Sequence, residues 1–254
     1  MATVLILGGT TEARQLAERL AQRGGLDVTL SLAGRTASPV AHPVPIRIGG
    51  FGGAEGLADY LRAECVDALI DATHPYANMI SENAAAAARK FGVPFVAVRR
   101  PPWSAVVGDR WIEVSDSRAA AKAIGPEGRN VFVTIGRNDL APFASAPQHR
   151  YLIRSVDPVD PPLPVPHVTY ITARGPFSEA DDRALMTQHK IDLVISKNSG
   201  GSAAYGKIAA ARALGIEVII LRRPPASDAP SVSTVDDTLA WLDHALTSTA
   251  ARGV

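Results

Sequence analysis

The feature that most constrains this fold is an internal duplication. The segment Phe91-Gly92-Val93-Pro94-Phe95-Val96-Ala97-Val98-Arg99-Arg100-Pro101-Pro102 is echoed by Leu214-Gly215-Ile216-Glu217-Val218-Ile219-Ile220-Leu221-Arg222-Arg223-Pro224-Pro225, with the glycines and the Arg-Arg-Pro-Pro units in register. Upstream, Val66-Asp67-Ala68-Leu69-Ile70 matches Ile191-Asp192-Leu193-Val194-Ile195, and each run leads through a polar turn and an alanine-rich helical stretch to that shared ending. Val4 to Gly9 matches Val131 to Gly136 in the same way. Two copies make a duplicated domain, since a solenoid needs at least three stacked repeats.

Each copy alternates strand and helix signals. Val4 to Leu7, Val28 to Leu32, Ile46 to Ile48, Ala68 to Asp71 and Phe95 to Val98 are short β-branched runs, and in Glu12 to Arg23 the residues Ala13, Leu16, Ala17 and Leu20 share one helical face. That alternation specifies a parallel sheet flanked by helices. The expected fold class is therefore α/β: two Rossmann-like parallel-sheet domains related by the repeat, 1–128 and 129–254, with a cleft between them as the natural binding place. The last helix, about Val235 to Leu246, is free to pack back on the first domain. Pro142, Pro147, Pro158, Pro161, Pro162, Pro164 and Pro166 make the stretch after Gly136 poor in helix and suited to an extended surface excursion on the substrate side.

Composition narrows the partners. Lys and Arg total 26 against 25 Asp and Glu, so no bulk charge draws the chain to nucleic acid or to a membrane surface. No apolar stretch approaches the roughly 18 residues of a membrane span. Met1 to Gly9 reads as a first strand without a basic leader or cleavage site, so a cytoplasmic location is expected. The lone Cys65 cannot form an internal disulfide and is expected to be a buried structural thiol. Without His-Glu-x-x-His, Cys-x-x-Cys or clustered histidines, no protein metal site is expected.

Four turns carry chemistry. The first strand runs into Gly8-Gly9-Thr10-Thr11-Glu12-Ala13-Arg14 and a helix, where glycines admit a pyrophosphate to the main-chain amides and the helix N-terminus adds positive potential. Gly8 and Ala13 fit the dinucleotide fingerprint, Thr10 replaces its second glycine, and the Thr10 and Thr11 hydroxyls are expected to add donors. The second strand leads to Arg35, where an acidic residue would suit NAD and an arginine suits the 2′-phosphate of NADP. Asp71-Ala72-Thr73-His74-Pro75-Tyr76-Ala77 follows a strand, with His74 and Tyr76 able to handle protons. Its repeat partner, Ser196-Lys197-Asn198-Ser199-Gly200-Gly201-Ser202, offers an ammonium, an amide and a hydroxyl to acid groups. A fifth run, Gly201-Ser202-Ala203-Ala204-Tyr205-Gly206-Lys207, matches a P-loop except that Ile208 replaces the Ser or Thr that holds Mg²⁺, which leaves phosphoryl transfer as a competing class. The Tyr-x-x-x-Lys pair of many short-chain reductases is absent.

Together, Leu5 to Arg14, the Gly49-Gly50-Phe51-Gly52-Gly53 run, Asp71 to Ala77 and Lys197 to Gly200 resemble the precorrin-6A reductase family of cobalamin biosynthesis across nearly the whole chain. The resemblance implies NADPH-dependent reduction of a macrocycle double bond at the ring D edge, hydride going to one carbon and a proton to its neighbour. It implies a tetrapyrrole substrate rich in carboxylates, without nucleic acid or membrane, and transient contacts with neighbouring enzymes of the pathway. On this reading Gly8, Gly9, Thr10, Thr11, Arg14, Arg35, Ala72 and Thr73 meet the cofactor. Arg137, Lys197, Asn198, Ser199 and Gly200 meet the substrate, Arg14 is a further anchor for its acids, and His74 and Tyr76 are the catalytic pair. Two alternatives stand beside it: a cobalt-precorrin-6A reductase, and an NADP-binding sensor without turnover.

Overall fold

The computed structural model describes residues 1–34, 41–225 and 228–252. In chain order the elements are β1 (Ala2–Leu7), α1 (Thr11–Ala21), β2 (Leu26–Leu32), β3 (Ile46–Ile48), α2 (Gly53–Ala63), β4 (Ala68–Asp71), α3 (Asn78–Phe91) and β5 (Phe95–Val98). There follow β6 (Trp111–Val114), α4 (Ser117–Ala123), β7 (Asn130–Val133), β8 (Arg150–Ser155), β9 (Val168–Thr172), α5 (Glu179–Gln188), β10 (Leu193–Lys197), α6 (Gly206–Ala213), β11 (Glu217–Leu221), β12 (Ser231–Val232) and α7 (Val235–Arg252).

The strands form two six-stranded sheets in the orders β12-β5-β4-β1-β2-β3 and β6-β11-β10-β7-β8-β9, and every pairing is parallel. The two orders are the same topology written twice. Both expected domains are therefore α/β with Rossmann-like sheets, but the chain does not divide at 128. The compact units are Met1–Pro101 with Pro224–Val254, and Pro102–Arg223. The reason is an exchange: β6 and α4, which follow the first Arg-Arg-Pro-Pro, join the second sheet through Val218↔Trp111, while β12 and α7 return to the first through Ser231↔Ala97. The return of the last helix to the first unit is the arrangement the sequence left open; the placement of β6 and α4 in the second sheet is what the repeat does not reveal. In the first unit Arg23 and Asp243 pair at 2.7 Å and Arg19 and Asp236 at 3.1 Å, tying α7 to α1.

Alternation along β1 builds both layers of the first unit. Val4 and Ile6 pack with Leu16 and Leu20 of α1 and Leu239 and Leu242 of α7, whereas Leu5 and Leu7 pack with Leu57 and Leu61 of α2 and Ala84 and Ala88 of α3. Each fully buried leucine contributes about 1.5–3 kcal/mol. In the second unit Phe132, Val194, Val218 and Ile220 form a comparable layer with Met186, Ile208 and Ala211.

Two local expectations are corrected. The proline-rich stretch is free of α-helix up to α5, yet Pro142 opens a short 3-10 turn, Ala141–Ser145, and Tyr151 to Ser155 are buried in β8. Proline suits the first turn of such a helix, and the remaining prolines flank β8 and β9 without entering them, so the excursion shrinks to 156–167. Cys65 is exposed, because it lies past the end of α2 with φ 50°, beyond the last buried leucine of that face, Leu61. Among the described residues, no helix is long and apolar enough to cross a membrane.

Candidate functional site

In the first sheet the strand order reverses between β1 and β4, and doubly wound sheets open their ligand crevice beyond the carboxyl ends of such a pair. Two turns stand there. In the turn after β1, a Cβ on Gly8 would lie 2.6 Å from Leu30 Cδ1 and 3.4 Å from Ala13 Cβ, so Gly8 lets helix, strand and turn pack closely. Gly9 is different: its φ is 120° and nothing lies within 4 Å of its Cβ position, which leaves the turn's main chain open to approach. Thr10 caps α1 by accepting from Ala13 N at 3.2 Å and donates its hydroxyl to Ala72 O at 2.7 Å. That hydroxyl joins the two turns and is not the extra donor the sequence led us to expect. Thr11 is the half-buried first residue of α1, and Arg14 lies exposed on α1, its Nε 3.6 Å from Glu18 Oε1.

The turn after β4 begins at Asp71, which is fully buried. Asp71 Oδ1 accepts from Thr73 N at 3.0 Å and from Thr73 Oγ1 at 2.6 Å, so this second threonine hydroxyl is also committed to the fold. Ala72 is buried, donates its N–H to Leu7 O at the end of β1 and accepts from the Thr10 hydroxyl. His74 and Tyr76 are half-buried with rings 5.6 Å apart. Tyr76 N donates to His74 Nδ1 at 3.3 Å, which places the proton of the neutral imidazole on Nε2. Arg35 lies outside the described residues.

Two arginine groups here were not singled out by motif reading. Arg47 donates to Gly49 O at 2.6 Å and Gly50 O at 2.8 Å and stacks 3.7 Å from the Phe51 ring centroid, which orders the glycine run beside β2. Arg99 pairs with Asp71 at 2.6 Å, and Arg100 pairs with Glu12. The Arg-Arg dipeptide was visible as a mark of the repeat, but its acidic partners are far away along the chain.

The second sheet repeats the reversal between β7 and β10. Gly136, with φ 89°, follows β7, while Lys197 ends β10 and Asn198 to Gly200 follow it. Lys197 Nζ donates to Asp139 Oδ2 at 2.5 Å, and Arg137 reaches Pro158 O at 3.4 Å from an exposed position. Asn198 is used otherwise than expected: it is buried, accepts from Trp103 N at 2.7 Å and donates to Trp103 O at 2.9 Å, so its amide fastens the chain at Trp103. Arg223 donates to the carbonyls of Asn198 and Ser199, both at 2.8 Å, and Gly200 adopts φ 65°.

The P-loop match fails on geometry. Lys207 is 4% exposed, donates to Ala204 O at 2.7 Å and lies 5.3 Å from the Trp103 ring centroid. Burial, with the Arg154 cation adding to it and Asp182 opposing, lowers its pKa to about 7. An ammonium so enclosed cannot reach a nucleotide phosphate, which removes the basis of the phosphoryl-transfer reading. Among the described residues no group of three or more His, Cys, Asp or Glu could hold a metal ion.

Two parallel sheets of identical order, the first with an open glycine turn and a capped helix at its reversal point, place the molecule in the Rossmann-like class of α/β proteins. Comparison with known proteins then resolves the family. The model of the family described as Precorrin-6x reductase CbiJ/CobK matches residues 3–243. A precorrin-6A reductase from Sinorhizobium sp is 54% identical over 95% of this chain and 92% of its own. The solved structure of a CobK precorrin-6A reductase superposes with a TM-score of 0.93 at 46% identity, covering 96% of this chain and 97% of that one. A cobalt-precorrin-6A reductase from Priestia megaterium is more distant, at 28% identity over 96% of this chain and 97% of its own. The chain belongs to the precorrin-6x reductase family.

Proposed function

We propose that the protein is an oxidoreductase acting on a CH–CH group, which reduces one macrocycle double bond of precorrin-6A, giving precorrin-6B, with NADPH as the reductant. The observation that carries the cofactor assignment is Gly9: a positive-φ glycine with open space around it, at the N-terminus of a capped helix and at the reversal point of the sheet. A Cβ there would stand where a pyrophosphate approaches the amides of Gly9 and of the first turn of α1. Gly8, Gly9, Thr10, Thr11 and Arg14 form this seat, Ala72 and Thr73 support it, and Arg35 is assigned to the 2′-phosphate.

NADPH, when bound, supplies the hydride. The protein's part is to orient the reactants and deliver a proton to the neighbouring carbon. His74 Nε2 and the Tyr76 hydroxyl are the groups assigned to that proton, since they share the turn that Thr10 ties to the glycine turn. Arg137, Lys197, Ser199 and Gly200, at the matching point of the second sheet, are assigned to substrate carboxylates, where an ammonium and a guanidinium give strong charge-assisted bonds. The higher identity to the precorrin-6A reductase than to its cobalt counterpart favours the metal-free macrocycle.

The test is to follow NADPH absorbance with purified protein and either precorrin-6A or cobalt-precorrin-6A, and to repeat it with NADH. Turnover with precorrin-6A and NADPH well above the other combinations is expected. NADPH binding with no turnover on either macrocycle would favour a sensor and refute the proposal.

A further inference from the structure

Two hydrogen-bond chains leave the Arg99 guanidinium, and both end on the turn that carries His74 and Tyr76. Arg99 Nη2 lies 2.6 Å from Asp71 Oδ2 and 2.8 Å from Ser81 Oγ. The other oxygen of Asp71 accepts the amide of Thr73 at 3.0 Å and its hydroxyl at 2.6 Å, immediately before His74. Ser81 donates its hydroxyl to Ala77 O at 3.3 Å, and Ala77 N returns to His74 O at 2.8 Å. The Thr73 and Ser81 hydroxyls stand 3.3 Å apart, so the two chains run side by side. One side chain therefore grips this turn at both ends.

Burial makes the grip stiff. Asp71 and Ser81 are buried, and the Arg99 side chain is 20% exposed, so these charge-assisted bonds face little competition from water. A buried ion pair is weak grounds for a stabilising role, because well-packed apolar residues often serve stability as well. The duplication supplies an internal comparison. In the second copy Arg222 stands where Arg99 does, but Ser196 stands where Asp71 does, and the Ser196 hydroxyl donates to Lys197 O. The corresponding strand thus forms without the acid, and the longer turn after it is held instead by Arg223 at the Asn198 and Ser199 carbonyls, so the arginine–aspartate pair belongs to one copy. It occurs in the copy whose turn holds His74 and Tyr76.

We infer that Arg99 is a positioning residue for the reduction: through Asp71 and Thr73 on one side, and Ser81 and Ala77 on the other, it fixes where the His74 ring and the Tyr76 hydroxyl stand. The inference rests on the proposed role of those two residues in proton delivery. Displacing a reacting group by about 1 Å can cost about a hundredfold in rate. Arg99→Met should accordingly slow hydride transfer about a hundredfold and Ser81→Ala, which cuts one chain only, about tenfold. Arg99→Lys should recover part of the loss, since an ammonium can hold Asp71 without the guanidinium's forked geometry.

The experiment is single-turnover oxidation of NADPH by precorrin-6A, with rates expressed per bound NADPH so that partial unfolding does not imitate a kinetic defect. His74→Ala and Tyr76→Phe are measured alongside. Slow transfer in Arg99→Met and Ser81→Ala, with unchanged NADPH affinity and a slow His74→Ala or Tyr76→Phe, supports the inference. If Arg99→Met does not fold, Ser81→Ala decides alone. Wild-type rates in the Arg99 and Ser81 variants beside a slow His74 or Tyr76 variant overturn the inference and leave the role of the turn intact. Wild-type rates in both His74→Ala and Tyr76→Phe overturn the role of the turn, and this inference with it.

Discussion

Replacing Lys207 with Met should flatten the dependence of stability on pH between neutrality and pH 9.5. Lys207 is buried beside the Arg154–Asp182 pair, and its pKa falls from 10.5 to about 7 because burial disfavours the ammonium. The sign follows from linkage. Between about 7 and 10.5 the unfolded chain holds a proton that the folded chain has released, so stability rises with pH across that window. Below about 7 both states are protonated, and the full penalty applies. A displacement of this size corresponds to on the order of 5 kcal/mol in total, of which about 3 kcal/mol should be gained between pH 7 and pH 9.5. Met nearly matches the length and volume of the lysine stem and has no charge to bury. Urea unfolding of wild type and Lys207→Met at half-unit pH steps gives the two curves. The wild type should climb relative to the variant by about 3 kcal/mol over this range. Parallel curves would refute the reasoning, and would mean that Lys207 keeps its proton through the Ala204 carbonyl and Asp182.

Other tests address separate parts of the account. His149 is buried, its Nδ1 accepts from Arg129 N at 3.2 Å, its Nε2 is without a hydrogen-bond partner, and burial lowers its pKa below 6.5. Stability should therefore fall as pH drops below about 6.5, and acid unfolding of His149→Gln should begin at lower pH than that of the wild type if the buried imidazole is responsible. Gly9→Val should abolish NADPH binding in a protein that still folds, at some cost in Tm because a β-branched residue is strained at φ 120°, whereas Gly8→Ala, whose Cβ would meet Leu30 Cδ1 at 2.6 Å, should lower Tm while folded protein still binds NADPH; fluorescence titration of the folded fraction separates the two glycines. Arg35→Ala should weaken NADPH binding by about 1.5–3 kcal/mol, roughly tenfold to more than a hundredfold, and leave NADH almost untouched. An equal loss for both cofactors would mean that the 2′-phosphate is read elsewhere.

The strands and the α/β class were legible because β1, β2, β4 and β5 are short, largely apolar runs with more than one β-branched residue in all but β4, and the period of Ala13, Leu16, Ala17 and Leu20 leaves one buried face. Of the division into units only the return of the last helix was open to reading, since identical Arg-Arg-Pro-Pro endings do not reveal which sheet the following strand joins. The turns at the reversal points of the two sheets were legible because glycines and strand ends mark them locally. The hydrogen bonds of their side chains were not. Thr10, Thr73 and Asn198 look like ligand-binding groups in sequence, yet each hydroxyl or amide is engaged by Ala72, Asp71 or Trp103. Asp71, the partner of Arg99, and Trp103, Arg154 and Asp182, the groups around Lys207, lie at sequence separations that no local pattern encodes.

That NADPH seated by the Gly9 turn passes its hydride to the macrocycle is tested most directly by isotope transfer. NADPH doubly deuterated at nicotinamide C4 is incubated with precorrin-6A and the protein in ordinary water, and the product is analysed by mass spectrometry. The reduced macrocycle should gain one deuterium, and Gly9→Val should form no labelled product under the same conditions. A reduced product without deuterium, or labelled product formed at the wild-type rate by Gly9→Val, would contradict it.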